Sequence, residues 1–227
     1  MSLPDYLSIR GNEVEYLHLL FNDWANFEEN EKYHWALNAY HLIFMLFIYQ
    51  LLYKTSIWKR DKYTAATINI KGRNYTRRDF LEPDSPYIFS SIRESEVINY
   101  LEITKVDSDI IKRCKNLVQN RNERSHANGV YYDRLVYTDR LMEYEELASA
   151  IHFFTSTDLK KLLRNYIKFE YSEKDTTIDD IEFRLVIPNH LSYADVRYIG
   201  GLCLDKTKKS YKPKLGVLIL ESWGGVD

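Results

Sequence analysis

Apolar residues recur at helical spacing along most of this chain. Val14, Leu17, Leu20, Phe21 and Trp24 form one stripe, and Glu13, Glu15, Asp23, Glu28, Glu29 and Glu31 surround it with no Lys or Arg between 11 and 31. That spacing predicts a first helix with an acidic outer face. From Trp35 to Tyr53 no charged residue occurs. A helix apolar on every side belongs at the centre of a bundle or at a dimer seam. The run also reaches the length of a membrane span. Asn38, His41 and Gln50 interrupt it and no second span accompanies it, so a core helix is expected and a membrane partner is not. One small bundle would struggle to cover such a helix, which predicts a homodimer.

Further along, Ser91 and Glu94 have capping-box spacing ahead of Ile92, Val97, Tyr100 and Leu101, predicting a third helix. Asp107 or Ser108 can cap the next one, and Asn128-Gly129 can close it. Its stripe is Ile110, Ile111, Cys114, Leu117 and Val118. Two more helices follow, Thr138 to Phe154 and Asp158 to Tyr171, before the polar run SEKDTT marks a boundary. Beyond it the period changes. Ile181, Phe183, Leu185 and Ile187 alternate with polar residues as a strand does, and Pro188 stops them. Leu215 to Glu221 predicts a second strand, with Gly200-Gly201 as a break between. The expected architecture is mainly α. A helical bundle fills 1–172, with a basic hairpin or loop insertion at about 54–90, and a small mixed appendage fills 173–227.

Apolar residues make up 45% and charged residues 28% of the 227, which excludes a disordered chain. A net charge of −2 excludes a global field that draws in nucleic acid, so any such attraction is local. It has a candidate. Lys54, Lys59, Arg60, Lys62, Lys71, Arg73, Arg77 and Arg78 face one acid, Asp61, with Trp58, Tyr63 and Tyr75 interleaved. Cations meet phosphates and rings stack on bases in single-strand binding. The alternative is a solvated loop neutralised by the acidic first helix. Cys114 and Cys203 have neither paired nor metal-ligand spacing, which points to a reducing, cytoplasmic setting, and the N-terminus lacks the basic-then-apolar order of a signal peptide. No phosphate loop, Ser–His–Asp grouping or zinc spacing stands out, and no cofactor or metal is expected.

Continued at about 100° per residue, the stripe of the 107–129 helix runs into Arg121 and Ser125, with Asn122 and His126 on its flank. A guanidinium therefore occupies a core-facing position and needs an anion. That anion is a carboxylate of the bundle or a phosphate drawn into a cleft. Asn38 and His41, polar at core-like positions, are either hydrogen-bonded within the core or supports beside the Arg121 cleft.

The hexapeptide RNERSH, Arg121 to His126, resembles the R-N-x-x-x-H motif of HEPN domains (higher eukaryotes and prokaryotes nucleotide-binding), many of which are ribonucleases. Arg121, Asn122, Ser125 and His126 match its positions, over a resemblance that spans about 13 to 170. Some toxins of that family carry a Tyr two residues after the His, where this chain has Asn128. The resemblance implies an antiparallel helical bundle with the motif near the end of a late helix, often paired across a homodimer. It implies a metal-independent endoribonuclease in a defence or toxin-like setting, with an antitoxin or regulatory partner unspecified. His126 would move protons, Arg121 would hold the phosphate and Asn122 would orient either one. Arg124 and Ser125, with Lys59, Arg60, Arg73, Arg77 and Arg78, would hold the RNA. The second reading is a non-catalytic HEPN-like module that binds nucleotide or RNA, or regulates a partner. A shared polar cleft for Arg121 and His126 favours catalysis; an Arg121 locked by a buried Glu favours the module.

Overall fold

A computed structural model of the chain describes residues 1–8, 14–68, 70, 72–125 and 132–223, with Arg124 and Ser125 described by their backbone alone. Among these residues the fold is helical throughout. The elements are α1 (Val14–Glu29), α2 (Tyr33–Trp58), α3 (Arg60–Ala66), α4 (Arg77–Leu81), α5 (Glu94–Asn99), α6 (Ser108–Ser125), α7 (Arg134–Phe169), α8 (Ile178–Ile181), α9 (Tyr193–Leu204) and α10 (Pro213–Glu221). Short 3₁₀ turns at Leu3–Tyr6, Pro86–Ser91 and Tyr100–Thr104 link or cap them.

The charge-free run becomes the axis of the bundle. α2 is long and apolar enough to cross a membrane, yet 83% of its most apolar window is buried inside this chain. α1, α7, α5 and the 3₁₀ turns lie against it. Ile43, Phe44, Met45, Leu46, Ile48 and Leu52 are all buried, each contributing about 1.5–3 kcal/mol. One chain therefore covers most of the helix, and a partner subunit is not needed for that purpose. Trp35 and Leu42 remain 58% and 41% exposed on its open edge.

α7 is one helix of 36 residues, not the two the sequence predicts. Asp133 caps it, accepting the Val136 N–H at 2.9 Å, whereas the Thr138 hydroxyl bonds back to the Arg134 carbonyl. The stripe Ile151, Thr155, Leu159, Leu163 stays buried through Thr155-Ser156-Thr157, so packing overrides the weak propensity there. Tyr137 to Ile151 of α7 join the first core, and Leu159, Leu163 and Tyr166 join a second core with Ile181, Leu185, Val196, Ile199, Leu215 and Ile219.

The two expected C-terminal strands are helices. A Thr177–Asp180 capping box starts α8, which runs on as a π-helical turn over Glu182–Val186. Ile181, Leu185 and Val186 turn inward at helical spacing, while Phe183 is 66% exposed, so the period-two alternation was incidental. Leu215 to Glu221 forms most of α10, started by Pro213 in its first turn. Gly200 and Gly216 do not break structure; they let α9 and α10 touch. A Cβ on Gly216 would lie 2.8 Å from Leu204, and one on Gly200 would lie 2.9 Å from Leu220. Of the expected hairpin, Asn69 and Lys71 lie outside the described residues, and the described ones form a tight turn with an isolated bridge, Gly72 to Tyr75, and Asn74 at φ 66°.

A buried polar joint ties these C-terminal helices to the bundle. The Ser192–Asp195 capping box starts α9 and fixes the Asp195 carboxylate. Lys54 of α2 donates to it at 2.5 Å, and His152 of α7 lies 3.0 Å from its other oxygen. Burial pushes the Asp195 carboxyl up, but Lys54 and His152 outweigh that and hold it far below the usual carboxylate range. Lys54 is thus a core residue and not part of a basic surface.

Candidate functional site

α6 is capped by Asp107, whose carboxylate accepts the Asp109 N–H at 2.8 Å. Ile111, Cys114, Leu117 and Val118 then bury one face. Arg121 comes next on that face, and its side chain is 27% exposed. Its partner is Glu94, at the first position of α5: Arg121 Nη2 donates to Glu94 Oε2. The Ser91–Glu94 pattern was expected to be a capping box. Instead Ser91 bonds back to the Ile88 carbonyl at 2.7 Å and Arg93 is the cap residue, which leaves the Glu94 carboxylate for α6.

The same Glu94 oxygen lies 3.2 Å from His41 Nε2, and His41 Nδ1 lies 2.9 Å from the Tyr144 hydroxyl. Burial pulls the fully buried His41 below its ordinary value, with Glu94 opposing in part, so the ring is neutral near pH 7. A carboxylate only accepts, so Nε2 carries the proton and Nδ1 accepts from Tyr144. Burial pushes Glu94 up, while His41 and Arg121 outweigh it and hold the carboxyl below the usual range. The chain Tyr144–His41–Glu94–Arg121 therefore runs from α7 through α2 and α5 to the end of α6.

Beside it lies a narrow cleft lined by His34, Leu37, Asn38, Leu117, Asn120, Arg121, Tyr132, Arg140 and Tyr144. Its enclosed volume is about 10 Å³, room for about one water. A phosphate can therefore meet Arg121 only at the rim. Arg140, the second cation of the cleft, is engaged by Glu143 at 2.6 Å. Of the residues expected here, Asn38 lines the cleft and His41 holds Glu94, so both lie beside Arg121. Asn122 is exposed. His126 lies outside the described residues, as do the side chains of Arg124 and Ser125. Glu94, Asn120, Arg140 and Tyr144 were not singled out from the sequence. A signal existed only for Glu94, an acid ahead of an apolar stripe, and capping explained it equally well.

The basic stretch is not gathered at this cleft. Apart from the buried Lys54 it starts at Lys59, just past the C-terminal end of α2 and 18 residues from His41, roughly 27 Å along the helix. Lys59 is half-buried and paired with Asp158 at 2.5 Å, and the exposed Arg60 pairs with Glu82 at 2.6 Å. Arg73, Arg77 and Arg78 are exposed. Among the described residues no ion pair joins these cations to α1, so the acidic helix does not neutralise them. No group of three His, Cys, Asp or Glu side chains suited to a metal occurs among the described residues. Burial pushes the Cys114 and Cys203 thiols up to about 12 and about 11, so neither is a nucleophile at neutral pH.

No family model matches the chain, and neither a curated protein nor a solved structure matches it.

Proposed function

We propose that this chain is a metal-independent endoribonuclease of HEPN type, acting in the cytoplasm in a defence or toxin-like setting. The observation that carries the reading is Arg121, partly exposed in the lining of a narrow cleft. Glu94 and His41 fix it there, five residues before His126. The RNA ribose 2′-OH attacks the adjacent phosphorus, the P–O5′ bond breaks, and the products are a 2′,3′-cyclic phosphate and a 5′-OH. His126 takes the 2′-OH proton or gives one to the leaving oxygen, its ordinary pKa near 6.5 suiting both at neutral pH. Arg121 neutralises charge on the phosphate as the transition state forms. Asn122 orients His126 or a phosphate oxygen, and Arg124, Ser125, Arg73, Arg77 and Arg78 hold the strand. A two-fold seam in this reading uses the α6 ends, since α2 is already largely covered.

One observation favours a second reading, a non-catalytic module that binds nucleotide or RNA or regulates a partner. Glu94 already occupies Arg121, and the cleft is narrow. The pair is not a sealed core pair, however: Glu94 is 18% and Arg121 27% exposed. Incubating the purified protein with labelled RNA in EDTA and identifying the product ends tests the choice. Cyclic phosphate and 5′-OH ends are expected; intact RNA, or 3′-OH and 5′-phosphate ends, would refute the nuclease reading.

A further inference from the structure

A cluster of cations lies away from Arg121, between the C-terminal half of α7 and the loop joining α9 to α10. Two chain segments converge there. Residues 158–169 and 205–214 together carry nine Lys and Arg against two Asp, in a chain whose net charge is −2. They wall a groove of about 550 Å³, the size range of small-molecule pockets. Lys160 and Arg164 stand one turn apart on α7, and Lys208 and Lys209 face them from the loop.

Several other cations at the surface are matched by acids. Arg60, Arg113, Arg140 and Arg184 each have a carboxylate partner. Among the described residues Lys160, Arg164 and Lys209 have none, and Lys208 reaches Asp205 only at 3.9 Å. The two acids of the segments are engaged elsewhere: Asp158 holds Lys59, and Asp205 accepts from the Thr207 N–H and hydroxyl at 2.9 and 2.7 Å. Among the described residues no carboxylate lines the groove. Four like charges converging on one concavity repel each other, and an anion seated among them removes that repulsion.

The floor is different in kind. Leu163, Ile167 and Leu202 form it, with the Ser210 hydroxyl turned to the Leu202 carbonyl at 3.1 Å. A bare inorganic anion gains nothing from such a floor. A ligand with several negative charges and a flat apolar body uses both parts. We infer that this groove binds a nucleotide, its phosphates held by Lys160, Arg164, Lys208 and Lys209 and its base laid on the aliphatic floor. The ligand chemistry is met either by a free nucleoside triphosphate or by a nucleotide within an RNA strand. The inference is independent of any chemistry at Arg121.

Calorimetric titration of the full chain in EDTA with ATP, with inorganic phosphate and with a 5′-hydroxyl oligouridylate tests it. The four side chains are exposed, so Lys208→Gln/Lys209→Gln and Arg164→Gln will fold, which circular dichroism checks. ATP should bind the wild type, and each variant should weaken it about tenfold, as loss of a charge-assisted hydrogen bond does. Arg121→Ala should leave ATP binding unchanged. Groove-dependent binding of the oligonucleotide alone would assign the same site to a strand. Binding of neither, or binding that these variants leave intact, would overturn the inference. Inorganic phosphate binding as tightly as ATP would overturn the nucleotide assignment, because the floor would then contribute nothing.

Discussion

Replacing Glu94 by Ala removes the one acceptor shared by His41 and Arg121. The two donors do not suffer equally. His41 is fully buried, so its Nε2–H is left without a partner, at about 1–3 kcal/mol. Arg121 is 27% exposed and can swing to water, so the larger cost of breaking a sealed ion pair does not apply in full. A loss of about 2 kcal/mol follows, or about 4–8 °C in Tm for a chain of this length. Glu94→Gln keeps the shape and one acceptor oxygen and should cost about half as much. Combining Glu94→Ala with Arg121→Ala should expose a coupling of at least about 0.5 kcal/mol. Thermal unfolding followed by circular dichroism measures all of these. A Glu94→Ala variant as stable as the wild type, or strictly additive single and double changes, would refute the network. The same variants divide the functional readings. If Glu94 orients Arg121 for catalysis, Glu94→Gln lowers cleavage while RNA affinity holds; if it merely blocks Arg121, its removal raises affinity.

Three further outcomes follow from the geometry. His41 is held below 6.5 and Glu94 below 4.5; in both cases the unfolded chain binds the proton first, so stability present above those values is lost as pH falls. His41→Asn should therefore flatten the decline just below pH 6.5 relative to wild type, and an unchanged slope in urea titrations would contradict the neutral buried ring. Asp195→Asn strands the buried Lys54 and should cost about 3–5 kcal/mol in chemical denaturation; less than about 1 kcal/mol would show that the joint is not closed in solution. Arg77→Ala with Arg78→Ala should weaken RNA binding across sequences and reduce the salt slope by about 1.4, whereas an unchanged slope would return α4 to an ordinary solvated surface.

The parts of this fold that were legible in the sequence are those where one physical demand dominates. A charge-free run long enough for a helix has to be buried, and α2 is the axis. The α6 stripe ran through Arg121, so an anion had to be nearby, and it is. What could not be read is which anion, because Glu94 is 27 residues distant and a carboxylate three residues after Ser91 equally fits a cap. The break expected within α7 failed because Thr-Ser-Thr is only weakly unfavourable to a helix and buried neighbours on either side decide the matter. The C-terminal strands failed for a related reason. Short apolar runs carry both periods, and Gly200-Gly201 reads as a breaker until α10 is seen to pack on Gly200. Lys54 looked like the start of a basic surface because its partner, Asp195, is 141 residues away.

The most direct test of the central claim is single-turnover RNA cleavage by the wild type, His126→Ala and Arg121→Lys, with RNA affinity and thermal unfolding measured on the same samples. Loss of a proton-transfer group should lower the rate by about 10²- to 10⁴-fold with affinity and folding intact. Arg121→Lys keeps the charge but not the planar fork, and it should also cleave slowly while remaining folded. Cleavage that survives His126→Ala, or variants that lose activity only because they unfold, would contradict the assignment of chemistry to the end of α6.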